Sequence, residues 1–294
     1  MPQVTEQMVC RAVVDSPARP ACQRLKCRSK QRQWLRYWLA RHRGPAYRGR
    51  VVDAHFAERR LAEVYDPLDP DRSDLDAYAA MVDEFGAHSV VDIGCGTGTL
   101  ACLLARRGLT VTAVDPALAS LEVARTKPGA DRVRWVHGYA TDLPPLQVDL
   151  ATMTGNVAQV FVTDREWAST LRATHAALRP GGRLIFETRD PAATAWLEWN
   201  RERSYKRTVV AGVGAVQAWV ELLDVNGQLV SFHSTFVFEA DGAVLTSDST
   251  LRFRHHDEMI ASLAAAGHLV DEVRQAPDRS GRELVFIARR AGVG

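Results

Sequence analysis

The sequence predicts an α/β fold, an open and mainly parallel sheet with helices on both faces and an antiparallel β-meander inserted late in the chain. Three observations predict it. Between residues 89 and 187 short apolar runs alternate with longer periodic stretches; a glycine-rich loop joins the first run to a helical stretch; and after Pro191 the pattern changes to alternating segments separated by turn signals.

Organised sequence begins near Ala54 with an entry helix that carries Tyr65, and the first well-marked helix is expected over Ser73 to Gly86. Ser73 and Asp76 have capping-box spacing, Leu75, Tyr78, Ala79, Val82 and Phe85 recur at helical intervals, and Gly86 suits a left-handed terminus. Strands are expected at Ser89 to Ile93, Leu109 to Val114, Val133 to His137, Val148 to Met153 and Arg183 to Glu187, with helices at Leu100 to Arg107 and Leu118 to Arg125. Thr163 and Glu166 open a further helix, which Pro180, Gly181 and Gly182 are expected to stop.

Four alternating segments follow, near Thr208 to Val213, Gln217 to Leu223, Leu229 to Phe238 and Val244 to Thr250. Asn226-Gly227 and Asp241-Gly242 act as hairpin signals between them. The meander therefore occupies about 204–253, before a helix at Asp257 to Ala266 and closing strands at Leu269 to Arg274 and Glu283 to Ala288.

Charge divides the chain at about residue 50. Residues 1–50 hold 12 Lys and Arg against Glu6 and Asp15, a net of +10, which leaves −8 for the remainder. This segment reads as a basic, disordered extension ahead of a domain over 51–294. It also allows a nucleic-acid arm, through Trp34, Tyr37 and Trp38 among the basic residues, or a gene start placed too far upstream of Val51 or Val52. The five cysteines include no Cys-x-x-Cys pair, and no stretch is long and apolar enough to span a bilayer. Reduced thiols, no metal and a soluble cytoplasmic protein are expected.

The chemistry concentrates where the first strand runs into Asp92-Ile93-Gly94-Cys95-Gly96-Thr97-Gly98-Thr99. Glycines there allow a tight turn and close approach of backbone to a ligand. The second apolar run ends in Asp115, whose carboxylate suits the two hydroxyls of a ribose. The spacing is Gly-x-Gly-x-Gly, not the Gly-x-Gly-x-x-Gly of nicotinamide sites. Asp92 at the loop mouth would repel a pyrophosphate and favour a cationic ligand.

Through Val90 to Gly98, Val114-Asp115 and Leu178-Arg179-Pro180-Gly181-Gly182-Arg183-Leu184, residues 54–290 resemble the class I, Rossmann-like S-adenosylmethionine-dependent methyltransferases. The meander resembles that of small-molecule N- and O-methyltransferases, the sugar N-methyltransferases included. The resemblance implies a seven-stranded sheet with a reversed final strand and S-adenosylmethionine as cofactor. Asp92, Gly94, Cys95, Gly96, Thr97 and Gly98 would hold its methionine and ribose portions, and Asp115 with Pro116 the ribose. Tyr139, the Ala140 amide and Asp142 stand where the family reads adenine, Asp142 replacing an acid usual directly after the glycine. Thr154 would complete the site.

The segment Thr152-Met153-Thr154-Gly155-Asn156-Val157 faces the expected methyl-transfer position without the Asn/Asp-Pro-Pro-Tyr/Phe motif of base and glutamine methylation. A small N or O acceptor is therefore expected. In-line displacement needs alignment more than a base. Tyr65, Asn156 and Glu187 are the catalytic candidates, with His233, His255 and His256 as further bases for a hydroxyl acceptor and Trp196, Trp199 and Trp219 as acceptor-pocket residues. The competing readings are an RNA-modifying methyltransferase that uses residues 1–50 and a noncatalytic cofactor-binding protein. A monomer or a homodimer is compatible with the sequence.

Overall fold

A computed structural model describes residues 52–291, so the basic segment 1–50 lies outside the described residues. The apolar runs form β1 (Ser89–Ile93), β2 (Thr110–Asp115), β3 (Val133–His137), β4 (Val148–Met153) and β5 (Leu178–Arg189). Then come β6 (Lys206–Val210), β7 (Gly214–Asn226), β8 (Leu229–Phe238), β9 (Ala243–Arg252), β10 (His268–Gln275) and β11 (Glu283–Arg290). One seven-stranded sheet has the order β10-β11-β5-β4-β1-β2-β3, and a four-stranded sheet the order β6-β7-β8-β9.

Strands β1 to β5 pair in parallel, while β11 runs antiparallel to both β5 and β10, the reversed strand expected. Both faces are covered, which explains why β1 reads as a continuous apolar run. Val90 packs with the helices Asp74–Glu84 and Thr99–Arg106, and Val91 with Asp164–Ala177 and His256–Ala265. From β1 the chain proceeds to β2 and β3 on one side and returns to β4 and β5 on the other. The loop after β1 thus stands at the strand-order reversal, where open α/β sheets bind ligands.

One face of the antiparallel sheet turns to the helix Arg59–Leu68. Its inner residues Val210, Val216, Phe236 and Phe238 pack on Leu61 and Val64 of the helix Arg59–Leu68. No helix among the described residues is long and apolar enough to cross a membrane.

Three local expectations are corrected. Ser73 does not cap the helix Asp74–Glu84 through its side chain; Asp71 Oδ1 instead accepts from the Ser73 amide at 3.0 Å. The helix Asp164–Ala177, capped as expected by Thr163 and Glu166, ends before Pro180. Arg179 to Gly182 form an excursion within β5, since Val148 pairs with Leu178 and Leu150 with Arg183. Finally, Asn226 pairs with Leu229, so the hairpin turn is Gly227-Gln228, with Gly227 at φ 59°.

Candidate cofactor and acceptor site

The loop from Gly94 to Gly98 needs its glycines for different reasons. Gly98 has φ 72°, and a Cβ there would lie 2.5 Å from the Trp135 ring and 2.8 Å from Ala124 Cβ, so it sets the packing of the following helix. Gly96, at φ 52°, faces open space and leaves backbone bare toward a ligand.

Two carboxylates flank the loop. Asp115 is 7% exposed; its Oδ2 accepts from the Gly96 amide at 2.8 Å and its Oδ1 from the Ala117 amide at 2.7 Å, which fixes its plane against the loop. Asp92 is 1% exposed, and its Oδ1 accepts from the Thr152 hydroxyl at 2.8 Å. Burial pushes Asp92 up to about 7, against the Thr152 hydrogen bond and with repulsion from Asp115; burial also raises Asp115.

Neither carboxylate forms an ion pair with Lys or Arg among the described residues. Two buried acids beside bare backbone fit a ligand that carries positive charge and hydroxyl donors. They do not fit a phosphate. S-adenosylmethionine, with a sulfonium, an ammonium and ribose hydroxyls, is a ligand of that kind.

The remaining cofactor candidates divide. Thr97 is 4% exposed, and its hydroxyl donates to Asp66 Oδ1 at 2.9 Å, so its side chain secures the loop. Burial raises the Cys95 thiol, which rests near the Gly96 carbonyl. Pro116 directs its carbonyl to His137 Nε2 at 3.1 Å. Asp142 Oδ2 accepts from the Tyr139 amide at 2.8 Å and closes the short turn Ala140–Asp142, with Ala140 buried beneath. Thr154 is the first residue after β4 and is half-buried.

The catalytic candidates Asn156 and Glu187 are brought together. Asn156 sits at φ 61°, and Glu187 Oε1 accepts from the amides of Gly155 at 2.6 Å and Asn156 at 3.1 Å. Glu187 Oε2 accepts from the Tyr78 hydroxyl. Glu187 therefore anchors the loop after β4, and burial raises its carboxyl despite these three donors. The Asn156 amide nitrogen donates to Glu283 at 3.2 Å, which directs the side chain into the protein. Arg189 joins this group: its Nη1 donates to Gln159 Oε1 at 2.9 Å, and its Nε lies 3.6 Å from Glu283.

Tyr65 packs at 5.4 Å from the His55 ring and 5.8 Å from Phe56, and lies within electrostatic reach of Arg189. His55 was not legible as a site residue. Burial lowers its imidazole to about 4, and its amide donates to Ser247 Oγ at 3.0 Å on the inner face of the antiparallel sheet. That face carries three buried hydroxyls: Ser234 and Ser247, which are cross-strand partners, and Ser249.

The other bases and aromatics divide between the outer sheet face and one cleft. His233 pairs with Asp248 at 2.6 Å, both on the outer face. Trp219 lies there too, with Arg201 4.2 Å above its ring. Trp199 meets Phe232 at 4.8 Å and Trp196 meets Phe253 at 4.7 Å. Trp196 and Phe253 line a cleft of about 630 Å³ with His255, His256, Asp190 and Asp257. Among the described residues no group of three or more His, Cys, Asp or Glu is placed to hold a metal ion.

Comparison with known proteins agrees with this geometry. Residues 90–182 match the family described as "Methyltransferase domain". The cypemycin N-terminal methyltransferase of a Streptomyces species is 32% identical over 128 residues, 43% of this chain and 50% of that protein. The ubiquinone/menaquinone biosynthesis C-methyltransferase UbiE of Rubrivivax gelatinosus is 35% identical over 133 residues, 44% of this chain and 49% of that one. The chain thus spans about half the length of these curated relatives.

Among solved structures, the sugar N-methyltransferase KedS8 of Streptoalloteichus superposes with a TM-score of 0.68 at 20% identity, covering 85% of this chain and 100% of that one. The CcbJ methyltransferase of Streptomyces caelestis gives 0.66 at 21% identity, with 82% and 100% covered. These likenesses show a shared fold. Residues 90–182 thus match a methyltransferase domain, and the chain shares the fold of these methyltransferases.

Proposed function

We propose that the protein transfers a methyl group from S-adenosylmethionine to a nitrogen or oxygen of a small polar molecule. The observation that carries the reading is the pair of buried carboxylates, Asp92 and Asp115, beside bare backbone at Gly96 with no protein cation to neutralise them. When bound, the cofactor supplies an already activated methyl carbon. The work left to the chain is binding, orientation and exclusion of water.

Asp92 would oppose the positive charge of the cofactor, Asp115 would accept from its ribose hydroxyls, and Tyr139 with the Ala140 amide would meet its adenine. Glu187, held by Tyr78, fixes the loop through Gly155 and Asn156 against which the acceptor aligns. The acceptor side is read from the cleft where Trp196 and Phe253 stand with His255, His256, Asp190 and Asp257. That surface suits a hydrogen-bonding acceptor better than a long apolar chain. The fold shared with a sugar N-methyltransferase supports the same reading.

The test is methyl transfer from labelled S-adenosylmethionine to separate pools of polyhydroxylated amines, polyhydroxylated alcohols and apolar quinols. Label in either polar pool, absent with Asp115→Ala, is the expected result. Label confined to quinols contradicts the acceptor assignment, and no transfer to any pool contradicts the activity.

A further inference from the structure

The helix Arg59–Leu68 bridges two parts of the molecule. One side buries Leu61 and Val64 against the antiparallel sheet, and Arg60 pairs with Asp241 of that sheet at 3.0 Å. The other side reaches the cofactor loop through Asp66. Asp66 Oδ1 accepts from the Thr97 hydroxyl at 2.9 Å and the Thr99 hydroxyl at 3.2 Å, and its Oδ2 lies 2.6 Å from Lys127 Nζ. Lys127 also donates to Thr99 Oγ1 at 2.7 Å, and Arg72 stands 3.6 Å from Asp66. Upstream, the buried Ser120 hydroxyl donates to the Phe56 carbonyl at 3.0 Å, just beyond Asp115 on the ribose side.

Residues 56–66 are thus fastened at one end beside the ribose-binding strand and at the other to the glycine loop. Tyr65 lies immediately before the second fastening. A carboxylate with four polar partners from three segments is more than surface charge pairing: two partners are the hydroxyls of Thr97 and Thr99 at the end of the glycine loop, and hydrogen bonds to a charged group are the stronger kind.

We propose that Asp66 is a positioning residue for the cofactor. By pinning Thr97 and Thr99 it makes the glycine loop and the bridging helix open and close as one unit, and cofactor entry and exit both require that opening. The proposal rests on the cofactor assignment above for its kinetic part alone. A broken latch lowers the barrier in both directions, whereas loss of an ordinary binding contact speeds release without speeding entry.

Two measurements test it on the full chain, with Asp66→Ala, Asp66→Asn and the milder Thr97→Val, which removes one hydroxyl without changing side-chain shape. Hydrogen exchange on ligand-free protein should show faster exchange in residues 54–68 and 94–99 together. Stopped-flow binding of S-adenosylhomocysteine should show association and dissociation both faster, about tenfold or more for Asp66→Ala and less for Thr97→Val. Acceleration of exchange in only one segment, or in neither, overturns the coupling; unchanged rates, or faster dissociation with unchanged association, overturn the gating. If the wild-type protein does not bind S-adenosylhomocysteine, the cofactor reading and the gating built on it fall, while hydrogen exchange still decides the coupling. Should Asp66→Ala chains fail to fold, the same two measurements on Thr97→Val decide both points.

Discussion

Asp92 on β1 and Thr152 on β4 are direct register partners, and the Thr152 hydroxyl donates to the Asp92 carboxylate at 2.8 Å. That one hydrogen bond does not offset full burial, so Asp92 is pushed up to about 7. A cationic ligand favours the ionised form. Affinity for S-adenosylmethionine should therefore rise with pH through about 7, by about tenfold between pH 6 and 8, with proton release on binding below pH 7. Titration calorimetry at the two pH values in buffers of different ionisation enthalpy checks this. A flat profile identical to that of Asp92→Asn would remove Asp92 from the cofactor's charge balance.

The same carboxylate lowers the stability of the ligand-free protein. Its folded value, about 7, lies above the ordinary 3.8, so the folded chain retains a proton that the unfolded chain has lost. The stabilising contribution is fully present below about pH 4 and is lost as pH rises through about 7, with a ceiling of about 4 kcal/mol. Asp92→Asn, which still accepts from Thr152, should melt several degrees above the wild type at pH 8 while losing cofactor affinity. Thermal melts across pH 5 to 8 test it, and equal melting temperatures at pH 8 would contradict it.

Asp115 uses both oxygens to accept backbone amides, from Gly96 and Ala117. Asparagine is therefore no conservative replacement, since its amide nitrogen must face one of those N–H groups. Both Asp115→Asn and Asp115→Ala should weaken cofactor binding by about a hundredfold, the scale of two charge-assisted hydrogen bonds at about 1.5 kcal/mol each. Calorimetry that finds Asp115→Asn within about threefold of wild type would contradict the assignment.

Gly96 and Gly98 should respond differently to alanine. Gly98→Ala puts a Cβ into Trp135 and Ala124 at positive φ and should destabilise the fold by about 2 kcal/mol or more. Gly96→Ala meets no protein atom within 4 Å, so after a smaller backbone cost it should fold and yet bind cofactor poorly. Denaturant unfolding paired with binding distinguishes the two; wild-type cofactor affinity in Gly96→Ala would contradict close backbone approach there.

Glu187→Gln separates anchoring from proton transfer. Glutamine retains an oxygen for the Gly155 and Asn156 amides and turns its nitrogen toward Tyr78, whose hydroxyl can accept. Turnover within about tenfold of wild type is expected if Glu187 only holds the loop. A loss of about a thousandfold with unchanged melting temperature and cofactor affinity would make it a base.

The features legible in the sequence were those set by local chemistry. The strands of the parallel sheet appear as apolar runs because β1, β2 and β4 are covered on both faces, and the loop appears because its glycines hold positive φ. Asp115 was legible because it ends a strand. The Asp66 latch was not: its partners Thr97, Thr99 and Lys127 are more than 30 residues away and become neighbours only when the helix Arg59–Leu68 packs beside the glycine loop. His55 was hidden for the same reason, its environment being made by Tyr65, Phe236 and Ser247. The four-residue excursion Arg179 to Gly182 resembles a helix stop because proline and glycine break helices and bulge strands alike.

The most direct test is calorimetric titration of the purified protein with S-adenosylmethionine at pH 8, alongside NAD as a dinucleotide control. One cofactor per chain, competed by S-adenosylhomocysteine and weakened about a hundredfold by Asp115→Ala, is the result predicted. Folded protein that gives no heat with S-adenosylmethionine or S-adenosylhomocysteine, or that binds NAD in their place, would contradict the account.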